Sequence, residues 1–165
     1  MKLTDVFLAQ LDAEAARTVR ALEVVPDRPD WKPHERSMPL SRLARLVATM
    51  PSWLSLIIDQ DDLDLSGSNV EANPHDSSAE LLEAHNKAVG EARRSLTATN
   101  DDVLMRPWRL RLGERVVSED PKHVVIRDTF THLAHHRGQL TVYLRLNDVP
   151  VPAVYGPSAD DPRFL

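Results

Sequence analysis

Two histidines four residues apart, His132 and His136, lie within THLAHHRGQL (131–140), the segment of this chain with the most side chains able to do chemistry. The surrounding run from His123 to Asn147 is apolar-periodic and free of proline, which predicts one long helix. At about 100° per residue the two imidazoles fall about 40° apart, one turn from each other. Val125, Thr129, Leu133, Leu140 and Tyr143 share that arc, so both rings are expected to point toward the core, with His135 on a flank. Two imidazoles at this spacing can reach one metal ion from a single helix face. The plainer reading is a pair of hydrogen-bonded core histidines. Each buried imidazole would then need its own partner, and on that ground metal ligation leads. Two ligands do not make a site, so a third donor must come from elsewhere.

The other candidates are weaker. His85 falls on the inward arc of an earlier helix, and a hydrogen-bonded core histidine is the better reading, with metal donation as the alternative. His34 sits in a proline-rich connection. The acidic run Asp59–Asp64 (DQDDLD) lacks EF-hand spacing and reads as a solvated loop. Arg137, Arg109 and Arg111 could each hold a substrate carboxylate, and spacing singles out none of them. No G-x-S-x-G elbow occurs, so serine-hydrolase chemistry has no support.

Composition narrows the class further. A length of 165 residues is most simply one domain, and 42% apolar with 27% charged residues is ordinary for a soluble globular protein. The net charge of −5, without basic clusters, gives no footprint for nucleic acid. The absence of cysteine removes disulfides, thiolate nucleophiles and cysteine–zinc sites. The opening residues MKLTD have no apolar signal core, and no run approaches the ~20 apolar residues of a membrane span. The expectation is a soluble cytoplasmic protein that engages neither membrane nor nucleic acid.

Four long helices must position these groups. The first is expected over Thr4–Val24 with Thr4 as N-cap, ended by Pro26, Pro29 and Pro33. The connection that follows carries Trp31 as a packing plug. A second helix, capped by Ser37, is expected over Pro39–Ile58, with a kink at Pro51; its inward face includes Leu46, Met50 and Trp53. After turn-rich residues Gly67–Pro74, the sequence Ser77-Ser78-Ala79-Glu80 matches a capping box and opens a third helix to about Leu96. Trp108, Leu110 and Leu112 alternate with Arg109 and Arg111 before Gly113-Glu114, which predicts a small hairpin or extended flap ahead of the fourth helix. The fold class expected is an all-α four-helix bundle. The fourth helix also has Ala134, Gly138 and Thr141 opposite the histidine pair, and apolar Val124, Val142 and Leu146 on a flank. That surface is wider than one core stripe requires, and it predicts a homodimer.

Four segments, DWKPHERSM (30–38), HLAHHRGQ (132–139), VYLRL (142–146) and DVPVPAVYGPSAD (148–160), together resemble the DinB-like (DinB/YfiT-like) family of four-helix-bundle proteins nearly end to end. The resemblance implies an up-down-down-up bundle, commonly homodimeric. It also implies a divalent metal, zinc or nickel, held by three histidines and used for thiol-dependent transfer or isomerisation. His132 and His136 match the two ligands of the last helix. The third is implied on the second helix, in a segment typically reading Leu-Ala-Thr-His, and here that segment is Leu43-Ala44-Arg45-Leu46. Leucine cannot ligate, so the triad is incomplete. Either the metal is lost, or His85 or His34 substitutes, or water fills a weakened site. Leu46, Trp53, Trp108, Arg137 and Tyr143 are the residues expected around the pocket. The two functional readings are a metal-dependent thiol transferase or isomerase, and a dimeric module that binds a small molecule and has lost the metal.

Overall fold

In the computed structural model, which describes residues 2–67 and 76–163, proline and its missing amide set most of the boundaries. Helix α1 (Leu3–Glu23) buries Phe7, Leu11, Glu14, Thr18 and Leu22 at helical spacing. Thr4 is not its cap. The Leu3 amide is instead received by the Asp101 carboxylate, at 3.0 and 3.1 Å, from a segment 98 residues away. The loop after α1 closes on the next helix through its carbonyls, because the Leu40 and Ser41 amides donate to Trp31 and Pro29. These bonds replace the cap expected from Ser37, whose side chain makes none.

The second predicted helix is broken rather than kinked, giving α2 (Leu40–Thr49) and α3 (Ser52–Asp59). Pro51 has no amide to give, and the next donors, Trp53 and Leu54, reach back only three residues to Met50 and Pro51. Beyond α3 the acidic run is not a loop: Asp62–Asp64 forms β1. The predicted turn-rich stretch lies, from residue 68 on, outside the described residues. Helix α4 (Ser78–Ala98) opens on the predicted capping box, with Ser77 and Glu80 each accepting the other's backbone amide. A four-residue helix α5 (Asp101–Leu104), capped by Asn100, was not foreseen.

Strands β2 (Pro107–Leu112) and β3 (Arg115–Pro121) make the expected hairpin, turning at Gly113, whose φ of 63° suits glycine. Strand β1 adds parallel to β2, so the flap is a three-stranded sheet in the order β1-β2-β3. Arg111 donates to Asp62 at 2.9 Å and Arg109 to Glu119 at 2.6 Å. Both arginines proposed as substrate clamps are therefore engaged inside the sheet. Helix α6 (Lys122–Leu146) follows Pro121. Buried Lys122 ties its start to the end of α3, donating to the Ile58 and Gln60 carbonyls at 2.9 and 2.6 Å and pairing with Asp61 at 3.0 Å.

The chain is thus mostly helical with one small sheet. Its apolar interior has two parts. One gathers Leu22, Leu43, Val47, Met50, Leu133 and Leu140, and the other Phe7, Leu54, Ile57, Trp108, Ile126 and Phe130. Along α1 and α4, the buried polar residues Glu14, Thr18 and His85 fall between the residues of these two parts. No helix among the described residues is long and apolar enough to cross a membrane.

Candidate functional site

Helix α6 presents a buried stripe through Ile126, Phe130, Leu133, Arg137 and Leu144. With Lys122, Thr129, Leu140 and Tyr143 also buried, the centre of the inward face lies roughly 50° around the helix from the arc expected to face inward, and Thr129, Leu133, Leu140 and Tyr143 of that arc are buried as expected. The rotation has a physical source: Arg137 and Lys122 look polar in sequence but are buried with partners, and they move the centre of the stripe. His132 is consequently exposed and His136 half-buried, instead of both pointing into the core. They flank the stripe as a pair.

The pair is closely organised. His136 Nε2 lies 2.9 Å from His132 Nε2, and His136 Nδ1 lies 2.7 Å from the Gln139 side-chain oxygen. A carbonyl oxygen only accepts, so Nδ1 of His136 carries the proton. With the proton at Nδ1, Nε2 of His136 accepts from the N–H at His132 Nε2. This leaves His132 Nδ1 as the ring nitrogen with a free lone pair. His132 also packs edge-on against Trp53, with ring centroids 5.6 Å apart. Desolvation, then repulsion from His136 and His135, lowers its pKa below the ordinary value of 6.5 and keeps it neutral near pH 7.

Beside the pair opens a cavity of about 520 Å³ lined by Trp53, Ile57, Leu63, Trp108, Leu110, Val125 and His132, with Ser118, Asp120, Asp128 and Thr129 as its polar lining. Two of the expected pocket residues, Trp53 and Trp108, meet here. The other three do not line it: Tyr143 belongs to the first core cluster, Leu46 packs half-buried against that cluster, and Arg137 is buried in an ion pair.

A third metal donor does not join the histidines. Among the described residues no group of three or more histidine or acidic side chains is placed to hold one ion. His85 is fully buried, with Nδ1 bonded to the Ala48 carbonyl at 3.1 Å, and desolvation chiefly lowers its pKa. His34 is exposed and accepts the Arg36 amide at 3.1 Å. The histidine spacing itself favours a proton bridge: N–H···N contacts run near ~2.9 Å, whereas two nitrogens each ~2.0–2.1 Å from a tetrahedral ion stand ~3.3 Å apart.

Sequence reasoning passed over a second cluster. Arg137 and Glu14, with side chains 1% and 3% exposed, pair at 2.5 Å. Arg137 also donates to the Thr18 hydroxyl at 2.9 Å and to the Tyr155 hydroxyl at 2.5 Å, while Tyr155 donates to Glu14 at 2.9 Å. The signal lay on α1 alone: Glu14 occupies its apolar stripe, between Leu11 and Thr18, and a charge on an inward face requires a partner.

Comparison with known proteins agrees with this architecture. A DinB-like protein from Bacillus cereus ATCC 10987, known from its crystal structure, superposes with a TM-score of 0.68 at 21% identity, covering 90% of this chain and 95% of that one. A DinB-like protein from Bacillus subtilis gives 0.64 at 16% identity over 86% and 92%. At such identities the likeness concerns the fold alone. No curated protein matches the chain. The model of the DinB family matches residues 2–163, and the chain therefore belongs to the DinB family.

Proposed function

We propose that this DinB family protein binds a small, largely apolar molecule carrying one acidic O–H or S–H in the cavity between Trp53 and Trp108. His132 and His136 receive the proton of that group. The observation behind this reading is the His132–His136 contact of 2.9 Å at the edge of an apolar cavity of about 520 Å³, a volume within the usual range for small-molecule sites. An acidic hydrogen on the ligand would pass to His132 Nδ1. The positive charge is then shared through the Nε2 contact with His136, which Gln139 holds in orientation. The donors present do not fit the three-histidine metal that the family resemblance implies, because Leu46 stands where the third ligand is expected and neither His85 nor His34 joins the pair.

A second reading, a thiol-dependent metal transferase or isomerase, draws on the Gln139–His136 bond, since an outer hydrogen bond of this kind commonly orients metal-ligating imidazoles. Under either reading the chain is taken as one domain, a four-helix bundle in which α2 and α3 count as a single member. It is also taken as a homodimer joined through Val142 and Leu146, which stay 56% and 54% exposed on α6. The small residues Ala134, Gly138 and Thr141 line a cavity with Val151, Pro152, Val154 and Ser158 of the same chain.

Titration with para-nitrophenol separates the readings. Binding should quench tryptophan fluorescence and, near pH 6, shift the ligand's absorption toward the phenolate. His132→Phe should keep the quench and lose the colour change. Quenching without any colour change in the wild type would refute the proton-accepting role.

A further inference from the structure

On the opposite flank of α6, roughly 150° around the helix from the histidine cavity, Phe130, Ala134 and Arg127 line a second cavity of about 490 Å³ with Phe7, Arg17 and Tyr155. At its polar end one carboxylate serves two guanidinium groups. Glu14 Oε1 accepts from Arg17 at 2.6 Å and from Gln10 at 3.2 Å, and Oε2 accepts from Arg137 at 2.5 Å and Tyr155 at 2.9 Å. Glu14 is saturated, yet the group of Glu14, Arg17 and Arg137 retains one positive charge. Arg17 uses only Nη1 in a hydrogen bond among the described residues, and its side chain stays 28% exposed. Its guanidinium carbon sits 4.5 Å from the centroid of the Tyr155 ring, which fixes its plane at the cavity wall. Arg127 adds a second positive group, already paired with Asp128 at 2.9 Å.

We propose that this second cavity binds a small amphipathic carboxylate. Its anionic head is received by the free edge of Arg17 beside Tyr155, and its apolar tail lies along the wall that Phe7 and Phe130 form together. A planar guanidinium with two unused donor nitrogens matches a carboxylate. The local excess of positive charge favours an anion over a neutral ligand. Phe7 and Phe130 stack with centroids 6.3 Å apart and give the tail an aromatic wall. The site is independent of the histidine pair, since no residue lines both cavities.

Calorimetric titration of the full chain with hexanoate, and with hexanamide as its neutral counterpart, tests the site. Hexanoate should bind with a dissociation constant on the order of a millimolar, the amide at least about tenfold more weakly. Arg17→Gln should weaken hexanoate at least about tenfold, and His132→Ala should leave it unchanged. If Arg17→Gln loses its helical circular dichroism, Ala134→Leu decides, because it fills the cavity and should abolish binding with Arg17 in place. Equal binding of acid and amide, no binding of hexanoate at about ten millimolar, or loss of binding in His132→Ala would each overturn the assignment.

Discussion

Arg137→Met should cost this protein much of its stability, because it leaves Glu14 charged and buried. Arg137 donates to the Glu14 carboxylate and main-chain carbonyl, the Thr18 hydroxyl and the Tyr155 hydroxyl at 2.5–3.2 Å, and its own side chain is 1% exposed. Removing one partner of a buried, hydrogen-bonded ion pair costs about 3–5 kcal/mol. The lower end applies here, since Glu14 keeps Arg17, Gln10 and Tyr155 as donors. For a chain of this length ~3 kcal/mol corresponds to a fall in Tm of roughly 6–12 °C. Adding Glu14→Gln to Arg137→Met should cost less than the sum of the two single changes, because the stranded charge is gone, with a coupling of about 2 kcal/mol. Urea unfolding followed by far-UV circular dichroism, with the transition slope compared across the four proteins, supplies the cycle. A loss below about 1 kcal/mol for Arg137→Met, or additivity within about 0.5 kcal/mol, would show that the pair does not join α1 to α6 as described.

Other expectations follow from the same geometry. Leu46 packs half-buried against the core cluster that contains Leu133, so Leu46→His should restore a third donor and raise zinc or nickel affinity at least about tenfold, or ~1.4 kcal/mol. Titration calorimetry of both proteins reads this directly, and unchanged affinity would show that the position does not face the pair. His85 and His132 both have pKa values lowered in the folded state, so the unfolded chain takes up protons first as pH falls below 6.5. Stability should therefore be full above that pH and decline as pH drops below it. His85→Gln should flatten the decline below pH 6.5 in urea titrations. Light scattering at micromolar concentration should give twice the mass of one chain, and Val142→Lys should reduce it to one.

Much of the fold was legible because local chemistry encodes it. Proline positions ended α1, split α2 from α3 and preceded α6, the Ser77–Glu80 box opened α4, and Gly113 marked the hairpin turn. What escaped depends on partners far along the chain. Strand β1 is Asp62-Leu63-Asp64, with a single apolar residue, and its pairing comes entirely from β2, where Leu63 lies opposite Leu110. The cap of α1 comes from Asp101. At the candidate site the inward arc was legible in part: Thr129, Leu133, Leu140 and Tyr143 are buried, while His132 and His136 lie at its edge. Periodicity counts Arg137 as solvent-facing and Lys122 precedes the periodic run, and their burial is explained by distant partners, among them the Glu14 carboxylate and the Ile58 and Gln60 carbonyls.

The most direct test of the account is nitrogen-resolved NMR of the imidazoles in protein purified without a histidine tag. His136 should carry its proton at Nδ1 and His132 at Nε2, with His132 Nδ1 bare, and neither chelator nor equimolar zinc should move these signals. Proton loss at both Nε2 atoms, with a joint shift on equimolar zinc, would contradict it and make the pair a metal centre.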